Sequence, residues 1–153
     1  MKKFRFKFAA VFKLRKTREE EALRALGHAQ SIYQGELARK AHLVNDLENA
    51  LVRREELADR PIDIRAYQLE QAFIVGTKQR IIQADQGILR ASRGVEKALR
   101  AYLGARRQTR MIEVLHDKAY VEFRREVAKK ENRAMDELTI LRARLANQEE
   151  NTA

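Results

Sequence analysis

The chain has 153 residues, 35% of them charged, with one proline, no cysteine and no tryptophan. The missing cysteines exclude disulfides, thiolate metal sites and a cysteine nucleophile, and so few turn-formers in so charged a chain read as long-helix material. The formal net charge is +10, concentrated in residues 1–18 (eight bases, no acid) and 64–111 (ten bases, three acids).

The N-terminal segment is basic, but its longest apolar run is only Phe8-Ala9-Ala10-Val11-Phe12. A secretory signal needs about 7–15 apolar residues and a membrane span about 20, so a soluble cytoplasmic protein is expected. The first helix is predicted over about residues 8–58. Alternating steps of three and four trace a seam through Phe12, Lys16, Glu19, Leu23, Leu26, Gln30, Tyr33, Leu37, Lys40, Val44, Leu47, Leu51, Arg54 and Ala58. Glu20–Arg24 and Glu36–Lys40 have the i,i+4 spacing of supporting ion pairs.

A break is predicted at residues 59–63, Asp-Arg-Pro-Ile-Asp. Pro61 lacks a backbone donor and disfavours helical geometry at Arg60, and Asp63 is placed to cap the next helix. That second helix is predicted over about residues 64–148. Tyr67, Ile74, Ile81, Ile88, Val95 and Tyr102 recur every seven residues, and Ala84, Ala91, Ala98 and Ala105 follow three places after the later ones. A seven-residue repeat keeps these side chains on one slowly winding stripe, and a large-then-alanine alternation lets another helix approach closely. Beyond Ala105 the stripe is expected to drift through Ile112, Ala119, Phe123, Val127, Ala134, Leu138, Leu141 and Leu145.

Two long helices with a short linker fold back on each other. The expected fold is all-α: an antiparallel coiled-coil helical hairpin of two long helices, forming a single elongated domain over residues 1–153. With Pro61 at the bend, residue i faces about 122 − i, Phe12 faces the neighbourhood of Arg110, and about 35–40 C-terminal residues overhang. Six glycines interrupt the helices, either as tolerated weak spots on solvated faces or as points of bending or close approach.

No catalytic constellation is present in this pattern. His28, His42 and His116 lack ligand spacing, and Gly76-Thr77-Lys78 has none of the surrounding residues of a phosphate loop. No enzyme activity, cofactor, metal or small-molecule substrate is expected. Two features exceed what a bare hairpin needs. Phe73, Val75 and Ile82 flank Ile74 and Ile81, which one seam can bury, so they require a third helical segment, self-association or a partner. Leu89, Leu103, Val114, Val121 and Ile140 are likewise off the stripe. The fold would also bring the basic residues 1–18 beside Arg106, Arg107 and Arg110. Such an end is either a solvated arm or an electrostatic dock for an acidic surface or nucleic acid. The alternation Phe4-Arg5-Phe6-Lys7-Phe8 would suit base stacking, although no known nucleic-acid module accompanies it.

The opening Phe4-Arg5-Phe6-Lys7-Phe8, Leu14-Arg15 and Glu19-Glu20-Glu21 resembles the start of the flagellar type III export protein FliJ family. A later block is similar to that family's closing signature: Ile112-Glu113-Val114-Leu115, Tyr120, Phe123-Arg124-Arg125-Glu126 and Lys129 through Leu138. His116-Asp117-Lys118 and Asn132 depart from it. The resemblance implies a cytoplasmic, non-enzymatic stalk and adaptor at the inner-membrane export apparatus. Its partners would be the export ATPase ring, the cytoplasmic domain of the export gate, and export chaperones. Arg15, Arg124, Arg125, Lys129, Lys130 and Arg133 are then the candidate ring-docking charges, and Phe73, Val75 and Ile82 the candidate gate or chaperone contacts. The alternatives are a basic coiled-coil protein associated with nucleic acid or the ribosome, and the equivalent stalk of a non-flagellar type III secretion system.

Overall fold

In a computed structural model of the chain, the residues described are 3–59, 61 and 63–150, with side chains as far as 147. They form two helices packed against each other as a helical hairpin: α1, Ala9–Ala58, and α2, Ile64–Glu150. Both helices begin within a residue of where the sequence puts them. The Asp63 carboxylate accepts hydrogen bonds from the Arg65 and Ala66 amides at 3.0 and 3.4 Å, so it caps α2 as its position predicts. The expectation for Arg60 lies outside the described residues. Contacts divide the chain into two compact units: the described residues of Met1–Lys16 and Arg107–Ala153 form one, and Thr17–Arg106 the other.

In the second unit, Ile74 (1% exposed), Ala84 (1%), Ala50 (0%) and Thr77 (0%) are the most deeply buried side chains. Tyr67 is exposed, and the half-buried Ala66 and Glu70 take its place at the start of the α2 seam. From Ile74 onward the α2 repeat runs as expected, each large residue followed three places later by a small one. On α1 one of the two expected rows is correct: Phe12, Glu19, Leu26, Tyr33, Lys40, Leu47 and Arg54 all turn inward. The other lies one residue earlier than predicted, at Arg15, Ala22, Ala29, Glu36, Leu43, Ala50 and Leu57. Lys16, Leu23, Gln30 and Ala58 are exposed, and Leu37, Val44 and Leu51 sit half-buried on the flank. Hydrophobicity favours the leucines, but axis-to-axis distance is set by the side chains at the contact, and Ala22, Ala29 and Ala50 on α1, with Ala84, Ala91 and Ala98 on α2, allow the closer approach.

Polar side chains fix the alignment of the two helices in this unit. Arg53 donates to both carboxylate oxygens of Glu70 at 2.8 and 3.4 Å, and Arg54 to Gln71 at 3.2 Å. The bond to Glu70 raises the Arg53 pKa above its ordinary value. Lys40 crosses the seam to Asp85 at 2.7 Å rather than pairing with Glu36. Glu36 instead approaches Arg39 at 4.0 Å, whereas Glu20–Arg24 forms as expected, at 3.9 Å. The buried Thr77 hydroxyl accepts from the Arg80 guanidinium at 3.1 Å, which removes the cost of an unpaired hydroxyl in the seam. These pairs obey the expected i to 122 − i relation within about three residues.

The glycines divide between the two readings. A Cβ at Gly27, Gly35, Gly76, Gly94 or Gly104 would meet nothing within 4 Å. At Gly87 it would stand 2.7 Å from Glu36 Oε2, so here the missing side chain admits the opposing helix's carboxylate. Gly35→Ala and Gly94→Ala are therefore expected each to raise stability by up to about 1 kcal/mol through helix propensity. Gly87→Ala should gain less, because the Glu36 carboxylate must move aside. Urea unfolding of the three variants checks this ordering.

In the first unit the α2 row does not drift as early as predicted. The seven-residue repeat continues through Thr109, His116 and Phe123, with Ile112 and Ala119 on the alternate row. Thr109 is 2% exposed, and its hydroxyl donates to the Arg15 carbonyl at 3.2 Å. Phe12 stacks on His116, with centroids 5.8 Å apart, rather than facing Arg110. Arg110 pairs with Glu113 at 3.1 Å on its own helix. Burial on α2 ends at Val127, and every described side chain from 128 to 147 is exposed. The expected inward positions Ala134, Leu138, Leu141 and Leu145 thus have no helix over them among the described residues.

Candidate functional site

Residues 3–8 precede α1 and are not helical, apart from a turn at Lys7 and Phe8 closed by the Ala9 amide donating to the Phe6 carbonyl at 3.3 Å. What holds this arm is aromatic. Phe4 lies against His116, Tyr120 and Phe123 with centroid separations of 5.5, 5.3 and 5.5 Å. Phe6 meets the His116 ring edge-to-face at 5.1 Å and Phe8 at 5.8 Å. Edge-to-face pairs at these distances each add about 0.5–1.5 kcal/mol beyond burial. His116 is therefore a half-buried seam residue among three phenylalanines, and its Nδ1 lies 3.3 Å from Asp117. The charges of the arm remain outside this cluster: Lys3, Arg5 and Lys7 are exposed.

Directly after the arm's seat on α2 come the candidate ring-docking charges. Arg124, Arg125, Lys129, Lys130 and Arg133 are all exposed, with Lys129 bonded to Glu126 at 3.2 Å. Arg124 and Arg125 lie on the face away from the seam and Lys129 on its flank, whereas Lys130 and Arg133, seven residues after Phe123 and fourteen after Ala119, continue the two inward rows past the end of burial. Tyr120, Phe123, Arg124, Val127 and Lys130 help line an open concavity of about 740 Å³. Arg15 differs from the other five candidates. It sits half-buried in the α1 seam, its guanidinium hydrogen-bonded to the Gln108 side chain.

The three candidate gate or chaperone contacts do not share a face. Val75 and Ile82, seven residues apart, are 48% and 59% exposed on one flank of α2. Phe73 is about 155° away around the axis, where its ring lies 6.0 Å from the Arg53 guanidinium and 5.5 Å from that of Arg80. Those contacts tie Phe73 to the polar network of Glu70, Arg53 and Thr77. Among the described residues no three His, Asp or Glu side chains converge to hold a metal ion, and no helix is long and apolar enough to cross a membrane.

The profile of the family described as "Flagellar FliJ protein" matches residues 4–148, nearly the whole chain. The chain belongs to this family. Among solved structures, a YscO homologue from Chlamydia trachomatis is similar in fold, with a TM-score of 0.57 and 16% sequence identity. The alignment covers 95% of this chain and 99% of that one. No curated protein matches this chain in sequence. The family match takes in both the aromatic arm and the charges at 124–133. The arm's seat on α2 was absent from the sequence reading. Its signal was there in His116 and Phe123, which continue the count of sevens from Tyr102 through Thr109.

Proposed function

We propose that this chain is a non-enzymatic stalk and adaptor of the flagellar type III protein export apparatus. It acts in the cytoplasm at the inner membrane, docks in the export ATPase ring, and contacts the export gate and chaperones. The family match over residues 4–148 carries this reading, and the hairpin fold supports it. Docking falls to Arg124, Arg125, Lys129, Lys130 and Arg133, which are exposed next to the arm's seat. Arg15 contributes indirectly, by holding α1 to α2 through Gln108. Val75 and Ile82 form the gate or chaperone contact, and Phe73 braces the bend-proximal network.

Replacing Arg124, Arg125, Lys129 and Lys130 together by glutamine is expected to weaken ring binding about ten-fold or more and to remove ATPase stimulation, with helicity unchanged. All four side chains are exposed, so the fold does not depend on them. Stimulation equal to that of the parent protein would refute the docking assignment. The stalk of a non-flagellar type III system shares this hairpin fold with the YscO homologue, but the family match favours the flagellar role. A nucleic-acid role is disfavoured because the Phe4 and Phe6 rings, the best stacking platforms in the sequence, pack against His116.

A further inference from the structure

The second concentration of positive charge, in residues 64–111, plays no part in the proposed ring docking. Within Thr17–Arg106 it forms a surface of its own. Arg93 and Arg100 occupy one row of α2, and Arg90 and Lys97 the next row round, both turned away from the seam. Along these two rows the sequence reads Gln79, Gln83, Gln86, Arg90, Arg93, Lys97, Arg100, with no acid among them. None of the four cations has an ion-pair partner among the described residues. Beside them, on the seam-ward edge, runs an exposed apolar row seven residues apart: Ile82 (59% exposed), Leu89 (53%) and Leu103 (42%). Leu99 (42%) lies on the adjoining row. Glu96 interrupts the apolar row between Leu89 and Leu103.

We propose that this flank of α2, from Ile82 to Leu103, docks an acidic amphipathic helix of a partner protein. It uses Ile82, and to that extent rests on the reading of Val75 and Ile82 as an adaptor contact, whose partner chemistry it supplies. The period of the surface decides the shape of the occupant. Apolar and basic side chains both repeat every seven residues, about 10.5 Å along the axis, which a helix with a matching seven-residue pattern meets rung by rung. Charge decides its sign: two adjacent rows of two cations each, none ion-paired among the described residues, need acids flanking the partner's apolar stripe. A second copy of this chain is a poor match, because it presents the same basic rows and carries a net charge of +10. A lipid surface calls for a broad apolar face, whereas this one is narrow, interrupted by Glu96 and edged by arginines. Nucleic acid would leave the leucine row unused, and the flank offers no exposed aromatic ring for stacking.

The test uses the full chain and a fluorescein-labelled synthetic four-heptad peptide, leucine at its core positions and glutamate at its flanks, read by anisotropy. The same peptide with lysine flanks, phosphatidylglycerol vesicles and a labelled single-stranded oligonucleotide serve as competing ligands. Binding of the acidic peptide is expected, weakened about ten-fold or more by the combined R90Q, R93Q, K97Q and R100Q substitutions. The L89S, L103S double variant should weaken it comparably, and both variants should keep the parent's melting curve because every substituted residue is exposed. Failure of the acidic peptide to bind would overturn the proposal. So would binding indifferent to the leucine variant, or vesicles or oligonucleotide bound in preference to the peptide. The ATPase ring takes no part in these measurements, so their outcome is separate from that of the docking variant.

Discussion

Ile74→Asp is expected to destabilise the hairpin by about 3–5 kcal/mol, while Ile82→Asp changes stability by less than about 0.5 kcal/mol. The two isoleucines are eight residues apart and chemically identical, but Ile74 is 1% exposed and Ile82 is 59% exposed. Aspartate is too short to carry its charge out of the seam from position 74. Its neighbour on the alternate row, Thr77, accepts from Arg80 and has only one O–H to donate, which does not neutralise a charge. A carboxylate there is a buried charge without a partner, among the costliest single changes a core can receive. At position 82 the same carboxylate stays in water beside a basic flank. Far-UV circular dichroism during urea unfolding measures both. Equal midpoints for the two variants would mean that the large-residue row of α2 faces somewhere else.

The second large effect tests the row of α1 that hydrophobicity misplaces. Ala50→Leu should destabilise by about 1–3 kcal/mol, because the added carbons enter a contact with no free volume and must push the helices apart. Ala50 is 0% exposed, whereas Leu23, assigned to the seam by its hydrophobicity, is 51% exposed. Leu23→Ala should then change stability by no more than about 0.5 kcal/mol. Thermal melts of the pair separate the two alignments: a neutral Ala50→Leu with a costly Leu23→Ala would restore the leucine row to the seam.

These cases show where sequence alone is enough. The helix ends, the Asp63 cap and the large-residue rows of both helices were legible because each rests on a local rule: proline's missing donor, a carboxylate at a helix start, a count of sevens. The α1 row that carries Ala22, Ala29 and Ala50 was not, since favouring Leu23, Leu37 and Leu51 over their neighbours assumes that the contact wants bulk. Thr109 and His116 hid the continuation of the α2 row because their polarity breaks the apolar pattern, although the structure satisfies Thr109 through the Arg15 carbonyl. The arm's packing depends on contacts more than a hundred residues distant in the chain, as with Phe4 and Tyr120, which no local pattern specifies. The functional surfaces were partly legible for the same reason. Exposure of Val75 and Ile82 follows from counting around one helix, but the Arg53 and Arg80 guanidiniums over Phe73 depend on how the two helices meet.

The ion pair between Lys40 and Asp85 has one more consequence. A repeat of large and small residues looks alike to itself after every seven positions, so apolar packing alone would tolerate slippage of one helix past the other. Sliding α2 by a single repeat would bring Lys78 or Ser92 to the place of Asp85, leaving Lys40 against a like charge or a neutral hydroxyl. Together with Arg53–Glu70, this ionic rung in a greasy ladder acts as a proofreader, rejecting the near-miss pairings that alanine and isoleucine cannot tell apart.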